Sequence, residues 1–148
     1  MYRLALGANP GETQLLTSSL TGPNGIAFSP DETKLYVTDT GLGEGYPPSL
    51  VEFQVKEDGS LVTPGKIIFD MSEDKKSEPL AVPDGVKVDK NGIIYCTGPA
   101  GVYILAQDGT HLGTIQNGQA TSNVAFGGPD GTYLYMTGNM FLFRVALY

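Results

Sequence analysis

One pattern occurs three times in this chain of 148 residues and limits the folds that the chain can adopt. GPNGIAFSPDETKLYVTDT begins at residue 22, VPDGVKVDKNGIIYCTG at residue 82, and TSNVAFGGPDGTYLYMTG at residue 121. Each stretch holds a polar turn residue, a short apolar strand, a tight turn rich in Gly, Asp or Asn, and a second strand. Helical periodicity is almost absent. The repeat therefore predicts an all-β fold made of similar antiparallel units.

Further hairpins extend the first two units: SLVEFQV with LVTPGKIIFD, and GVYILA with THLGTI. Units of about 40–50 residues with four strands are typical of β-propeller blades. We predict a blade over residues 21–80, a second over 81–120, a final partial blade over 121–148, and the outer part of a truncated blade over 1–20. The inserts GLGEGYPPS and MSEDKKSEPLA are expected to be loops. A sandwich of short strands is the alternative, but it does not explain the recurring opening turn.

The opening turns carry polar residues that a propeller would bring together. The inner strand of each blade starts near the central channel, so Asn24, Asp84 and Asn123 are predicted to converge there. One carboxylate and two amide oxygens suit a hard cation such as calcium, which takes six to eight oxygen ligands. The structural alternative is that Asn-Gly and Asp-Gly serve only as turn residues.

Composition excludes several classes of function. A net charge of −7 argues against nucleic acid or an anionic membrane as the main partner. The single cysteine, Cys96, rules out an internal disulfide framework and is expected to be a buried strand thiol. No apolar segment reaches the roughly 18 residues of a membrane span, and no signal peptide is visible, which favours a cytoplasmic location.

The three repeated stretches, together with GPAGVYILAQDGTHLGTI, resemble the C-terminal half of the SMP-30/gluconolactonase/regucalcin-like family, with fungal and bacterial gluconolactonases most similar. The resemblance runs from about residue 10 to the end of the chain. It implies a six-bladed propeller with a divalent cation in the axial channel and hydrolysis of sugar lactones. This chain would then cover about three blades.

Carried over by position, the resemblance implies that Asn24 and Asp84 are metal ligands and that Asp84 is also the catalytic general base. Asn123 matches a channel-facing position, and Asp39 is expected near the same substrate channel in a supporting role. Calcium is the expected cation, with zinc, magnesium and manganese as alternatives. A further metal-binding Glu and an Asn of the family lie in an N-terminal half that this chain does not contain, so the chain alone is expected to hold an incomplete site.

Other functions stay open at this stage. The chain is expected to act on a small-molecule lactone, but a related calcium-dependent esterase or phosphotriesterase is an alternative. A non-catalytic half-propeller that serves in binding or assembly is another. Because an unclosed propeller exposes the flanks of its first and last blades, we also expect self-association or pairing with a companion N-terminal half.

Overall fold

A computed structural model describes residues 2–4, 13–77 and 81–147. These residues form antiparallel sheets that follow one another along the chain, and the all-β prediction is confirmed. Within these ranges no helix has the length and apolar character needed to cross a membrane.

The sheets correspond to successive stretches of sequence. A two-stranded ladder joins β1 (Tyr2–Leu4) and β2 (Thr13–Leu15). The first four-stranded sheet contains β3 (Pro23–Phe28), β4 (Lys34–Asp39), β5 (Ser49–Gln54) and β6 (Lys66–Asp70). The second contains β7 (Val86–Val88), β8 (Ile94–Gly98), β9 (Gly101–Leu105) and β10 (His111–Ile115). The third contains β11 (Thr121–Gly127), β12 (Tyr133–Gly138) and β13 (Phe141–Ala146), with a 3₁₀ turn at Pro129–Gly131 between its first two strands.

Each four- or three-stranded sheet packs face to face on the next one. The middle sheet illustrates how one strand takes part in two of these interfaces. Successive side chains of a strand point to opposite faces, so β8 contributes to two cores. Cys96 packs with Tyr36 of the first sheet, whereas Tyr95 packs with Leu134 of the third. Sheets stacked in this way, with the middle one covered on both faces by its neighbours in sequence, are the blades of a propeller rather than the two layers of a sandwich.

The strand thiol expected at Cys96 is confirmed. The side chain is fully buried between the first two sheets, and burial raises the pKa of the thiol to about 12. Such a thiol is not a nucleophile at neutral pH.

One insert that the sequence analysis assigned to a loop contains a short helix, α1 (Ser72–Ser77). Its first turn is acidic and its last turn is basic, which suits the helix dipole. Contacts with the second sheet and with the segment before it hold the helix: the Tyr103 hydroxyl donates to Asp74 at 2.8 Å, and Lys75 Nζ donates to the carbonyl of Ala81 at 2.8 Å. The other insert, residues 40–48, is a loop as expected.

Candidate functional site

The first strands of the three sheets start next to one another, and this arrangement determines where the candidate residues lie. β3 lies beside β7, and β7 beside β11. Gly25 N–H donates to the carbonyl of Asp84 at 2.8 Å, and Gly85 N–H donates to the carbonyl of Ser122 at 2.8 Å. The structure places Asn24 and Gly25 at the start of β3 and Ser122 at the start of β11, so only Asp84 and Gly85 precede their strand as predicted. We call residues 23–25, 83–85 and 121–123 the opening turns. The first opening turn is bonded directly to the second, and the second to the third.

A buried threonine repeats this connection in each pair of sheets. The Thr38 hydroxyl, fully buried, donates to the same carbonyl of Asp84. Thr97, also fully buried, donates its hydroxyl to the carbonyl of Ser122 at 3.5 Å. The carbonyl of Asp84 thus accepts two hydrogen bonds from the preceding sheet, which fixes its backbone relative to Asn24. Sequence reasoning missed these threonines, although their signal is visible as a Thr at the same place in YVTD, YCTG and YMTG.

Strand register corrects the alignment of the third turn. Asn123 is paired with Thr137, and Gly85 is bonded to Thr97, so Asn123 occupies the position of Gly85. Ser122, one residue earlier, is the positional equivalent of Asp84 and Asn24. The first and third sheets share an irregularity here, between Pro23 and Ile26 and between Thr121 and Asn123, which supports the same alignment. Asn123 is exposed, and its side-chain oxygen accepts a hydrogen bond from the N–H of Val124 at 2.9 Å. Its place in a substrate channel stays a prediction.

The side chains of Asp84 and Asn24 have no protein partners in the described part of the chain. Within residues 13–77 and 81–147, no group donates a hydrogen bond to the Asp84 carboxylate and no cationic side chain pairs with it. Partial burial raises the pKa of Asp84 above the ordinary aspartate value. Asn24 is exposed, and its amide likewise has no hydrogen bond among these residues. Asn24 and Asp84 therefore have side-chain oxygens that no group of the described residues binds, and the opening turns that carry them are hydrogen-bonded to each other.

Asp39 has a different environment. It is buried, and its carboxylate accepts hydrogen bonds from Gly22 N–H at 2.6 Å, Thr21 N–H at 3.0 Å and Gly41 N–H at 3.2 Å. The Thr21 hydroxyl donates a fourth at 3.3 Å. These contacts give the carboxylate a structural role in the segment that leads to Asn24, and direct contact with a substrate stays a prediction.

The side-chain oxygens of Asn24 and Asp84 are of the type that binds a hard cation, but two side chains are too few to complete its coordination shell. Carboxylate and amide oxygens are the ligands that calcium prefers, and it needs six to eight. Among the described residues no cluster of three or more His, Cys, Asp or Glu side chains could hold a metal ion. Asn24 and Asp84 could thus supply part of a coordination shell, with the remainder from water or from other parts of an assembled protein.

A cleft of about 480 Å³ opens at the same end of the sheets, where the connections before β7 and β11 lie. Ala81, residues 99–101 and residues 116–120 line it. Asp84 is not among the lining residues, but Ala81 belongs to the segment that leads into its turn.

Comparison with known proteins agrees with this architecture. A gluconolactonase of Zymomonas mobilis is 35% identical over 138 residues, which cover 91% of this chain and 37% of the relative. Lactonohydrolase oryH of Aspergillus oryzae is 33% identical over 156 residues, covering 93% of this chain and 32% of the relative. The chain thus spans only about a third of the length of these curated relatives.

Solved structures show the same fold. A gluconolactonase from Xanthomonas campestris superposes with a TM-score of 0.80 at 30% identity, covering 99% of this chain and 44% of that one. The calcium-binding protein regucalcin from Agrobacterium tumefaciens superposes with a TM-score of 0.70 at 26% identity, covering 92% of this chain and 43% of that one. The family described as SMP-30/Gluconolactonase/LRE-like region matches residues 1–139. The chain therefore belongs to the SMP-30/gluconolactonase/LRE-like family.

Proposed function

We propose that this chain forms part of a cation-dependent sugar lactonase in which Asn24 and Asp84 are cation ligands and Asp84 is the general base. The observation that supports this most is the pairing of the two turns. The backbone of Gly25 is bonded to the carbonyl of Asp84, while the partly buried Asp84 carboxylate has no partner within the described residues. An uncompensated carboxylate, on a segment that is bonded to the one carrying the Asn24 amide, is an arrangement that a bound cation would stabilise.

The substrate class comes from the relatives. The gluconolactonase of Zymomonas mobilis and the lactonohydrolases of Aspergillus oryzae are named for lactone hydrolysis, and the pentonolactonase XacC of Haloferax volcanii is 30% identical over 118 residues. Calcium is the proposed cation because the donors are oxygens and because a structural relative is described as a calcium-binding protein. Zinc, magnesium and manganese are the alternatives, and titration of the chain with each cation would distinguish them.

The chemistry divides between the cation and this chain's own residues. When bound, a divalent cation acts as a Lewis acid that polarises the lactone carbonyl. Asp84 accepts a proton from the water molecule whose oxygen bonds to the carbonyl carbon. The ring carbon–oxygen bond then breaks, and the proton passes to the departing ring oxygen to give a hydroxy acid. Partial burial raises the pKa of Asp84 in the cation-free chain, whereas a bound cation would favour the ionised carboxylate that accepts the proton.

We further propose that the chain works in an assembly, with a second copy or with a companion N-terminal half. Ile26 and Phe28 on the first sheet are 50% and 49% exposed, and Leu142 on the third sheet is 71% exposed. In the middle sheet the corresponding faces are covered by neighbours. Packing of another blade on these outer faces would remove apolar side chains from water.

The test of function is hydrolysis of gluconolactone, followed as proton release at constant pH with calcium added. We expect Asp84→Asn to reduce the rate by at least about 100-fold, because the change removes both the general base and the anionic ligand. Asp130→Asn is the matched control, since Asp130 is exposed in the 3₁₀ turn and should retain full activity. An Asp84→Asn rate equal to that of the unmodified chain would contradict the assignment. Absence of lactonase activity in the unmodified chain, alone and with a companion half, would favour the non-catalytic alternative.

A further inference from the structure

The connection that follows Asp39 differs from its counterparts in the other sheets. β4 and β5 are joined by residues 40–48, whereas residues 99–100 join β8 to β9 and residues 139–140 join β12 to β13. The position of Asp39, directly after the repeated threonine, is Gly98 in the second sheet and Gly138 in the third. A carboxylate thus occurs only where the connection is long.

The Asp39 carboxylate joins two segments that are distant in sequence. It accepts the backbone N–H groups of Thr21 and Gly22 from the segment before β3, and that of Gly41 from the long connection. Two further bonds close the same junction: Thr40 N–H donates to the carbonyl of Gly22 at 2.9 Å, and Leu42 N–H donates to the Thr21 hydroxyl at 3.0 Å. A buried anion that accepts several backbone N–H groups forms strong, geometrically specific bonds.

The junction contacts the turns of both candidate ligands. Gly22 lies two residues before Asn24, and the side chain of Leu42 packs against it, within 3.1 Å of where a β-carbon on Gly22 would stand. On the other side, the Thr40 hydroxyl donates to the carbonyl of Pro83 at 3.4 Å, directly before Asp84. Residues 39–42 therefore bridge the segments that lead into Asn24 and into Asp84.

We propose that Asp39 is a positioning residue for the cation-binding pair: its carboxylate holds residues 21–22 and 40–42 together and so fixes the spacing of Asn24 and Asp84. The expected effect of Asp39 on cation binding rests on the proposed function. Its effect on the spacing of Asn24 and Asp84 can be measured without any cation. Gly98 and Gly138 are the equivalent residues in the other sheets. They need no such carboxylate, because only two residues connect the strands there and no long loop has to be held against a neighbouring opening turn.

The test compares Asp39→Asn with Asp31→Asn in the complete chain. Asp31 is a matched control because its carboxylate also accepts a backbone N–H and two hydroxyls, from Thr33 and Ser29, but at the opposite end of the same two strands. Amide hydrogen exchange is read residue by residue in the absence of cation. We expect Asp39→Asn to accelerate exchange at Thr21, Gly22 and Gly41 by about tenfold or more, and at the Gly25 amide as well, because that amide bonds Asp84.

Calcium titration of the same variants is the second measurement. We expect Asp39→Asn to weaken calcium binding by about tenfold, and Asp31→Asn to leave it unchanged although local exchange at Thr33 increases. If exchange at Gly25 is the same in Asp39→Asn and in the unmodified chain, the positioning role is wrong. If the unmodified chain binds no calcium, alone or with a companion half, the proposed function fails while the exchange data still decide the role of Asp39.

Thr21→Val serves as a second variant if Asp39→Asn does not fold. It retains the carboxylate and removes only the hydroxyl that donates to Asp39 and accepts from Leu42. We expect faster exchange at Leu42 and Gly41 and a smaller loss of calcium affinity, about threefold. Unchanged exchange at both amides would overturn the inference.

Discussion

Replacement of Gly25 by alanine should separate the first two sheets at the candidate site. A β-carbon at Gly25 would lie 2.1 Å from the carbonyl oxygen of Asp84, 2.8 Å from the nitrogen of Val86 and 3.0 Å from the carbonyl carbon of Gly85. All three are backbone atoms, so no side chain can rotate away. Relief of the closest contact to 3.0 Å requires a movement of about 0.9 Å, the difference between the two distances.

A movement of that size lengthens the 2.8 Å hydrogen bond from Gly25 N–H to Asp84 and weakens the bond from the Thr38 hydroxyl to the same oxygen. Leaving buried polar groups without partners costs about 1–3 kcal/mol each, so we expect a loss of about 2–5 kcal/mol in the free energy of unfolding. Urea denaturation followed by circular dichroism measures the loss directly. Calcium affinity should fall in parallel, because Asn24 and Asp84 no longer keep their spacing.

Gly113→Ala is the control for this experiment. Gly113 lies in β10, and no heavy atom of the described chain stands within 4 Å of where its β-carbon would be. We expect a change within about 0.5 kcal/mol, as for an open surface position. If Gly25→Ala is as stable as Gly113→Ala, the bonded pairing of the two turns is wrong.

Three further predictions concern stability, protonation and assembly. Tyr36→Phe should be neutral or stabilising, because its buried hydroxyl has no hydrogen-bond partner in the described structure. Tyr103→Phe should cost about 1–3 kcal/mol in the same urea assay, since its hydroxyl bonds Asp74 and the N–H of Ala100. Equal stability of the two variants would refute this difference between the two hydroxyls. Because burial raises the pKa of Asp84, the folded state binds its proton more tightly than the unfolded state. The cation-free chain should therefore lose stability as pH rises from the ordinary aspartate pKa through the raised one, and Asp84→Asn should remove that dependence; an unchanged pH profile would argue against burial. Sedimentation of the purified chain should show a dimer or larger species rather than a folded monomer at micromolar concentration, and a stable monomer without exposed-surface dye binding would contradict the assembly proposal.

The hairpins were predictable from sequence because their turns carry a chemical signature. Asp58-Gly59 and Asp108-Gly109 place glycine at positive φ, where other residues are strained, and the flanking apolar runs define the strands. Helix α1 was not predictable in this way. Six polar residues do not form a stable isolated helix, and contacts with Tyr103 and the carbonyl of Ala81 hold it in place.

The candidate site was predictable in part. The turns of Asn24 and Asp84 do lie side by side, as the repeat suggested. The third turn was misaligned by one residue, because Asn123 was matched to Asn24 by residue type, whereas the register places Val124 opposite Met136 as it places Ile26 opposite Val37. The hydrogen bonds of Asp39 also required the structure, since its partners Thr21, Gly22 and Gly41 lie outside the strands and helices.

Calcium titration by calorimetry tests the central proposal most directly. We expect the unmodified chain to bind one calcium ion weakly, with a dissociation constant on the order of 10⁻⁴–10⁻³ M, because Asp84 supplies the only predicted anionic ligand. Asp84→Asn should abolish binding, Asn24→Ala should weaken it less severely, and Asp130→Asn should leave it unchanged. Calcium binding that survives in Asp84→Asn with the affinity of the unmodified chain would contradict the assignment of Asp84 as a cation ligand.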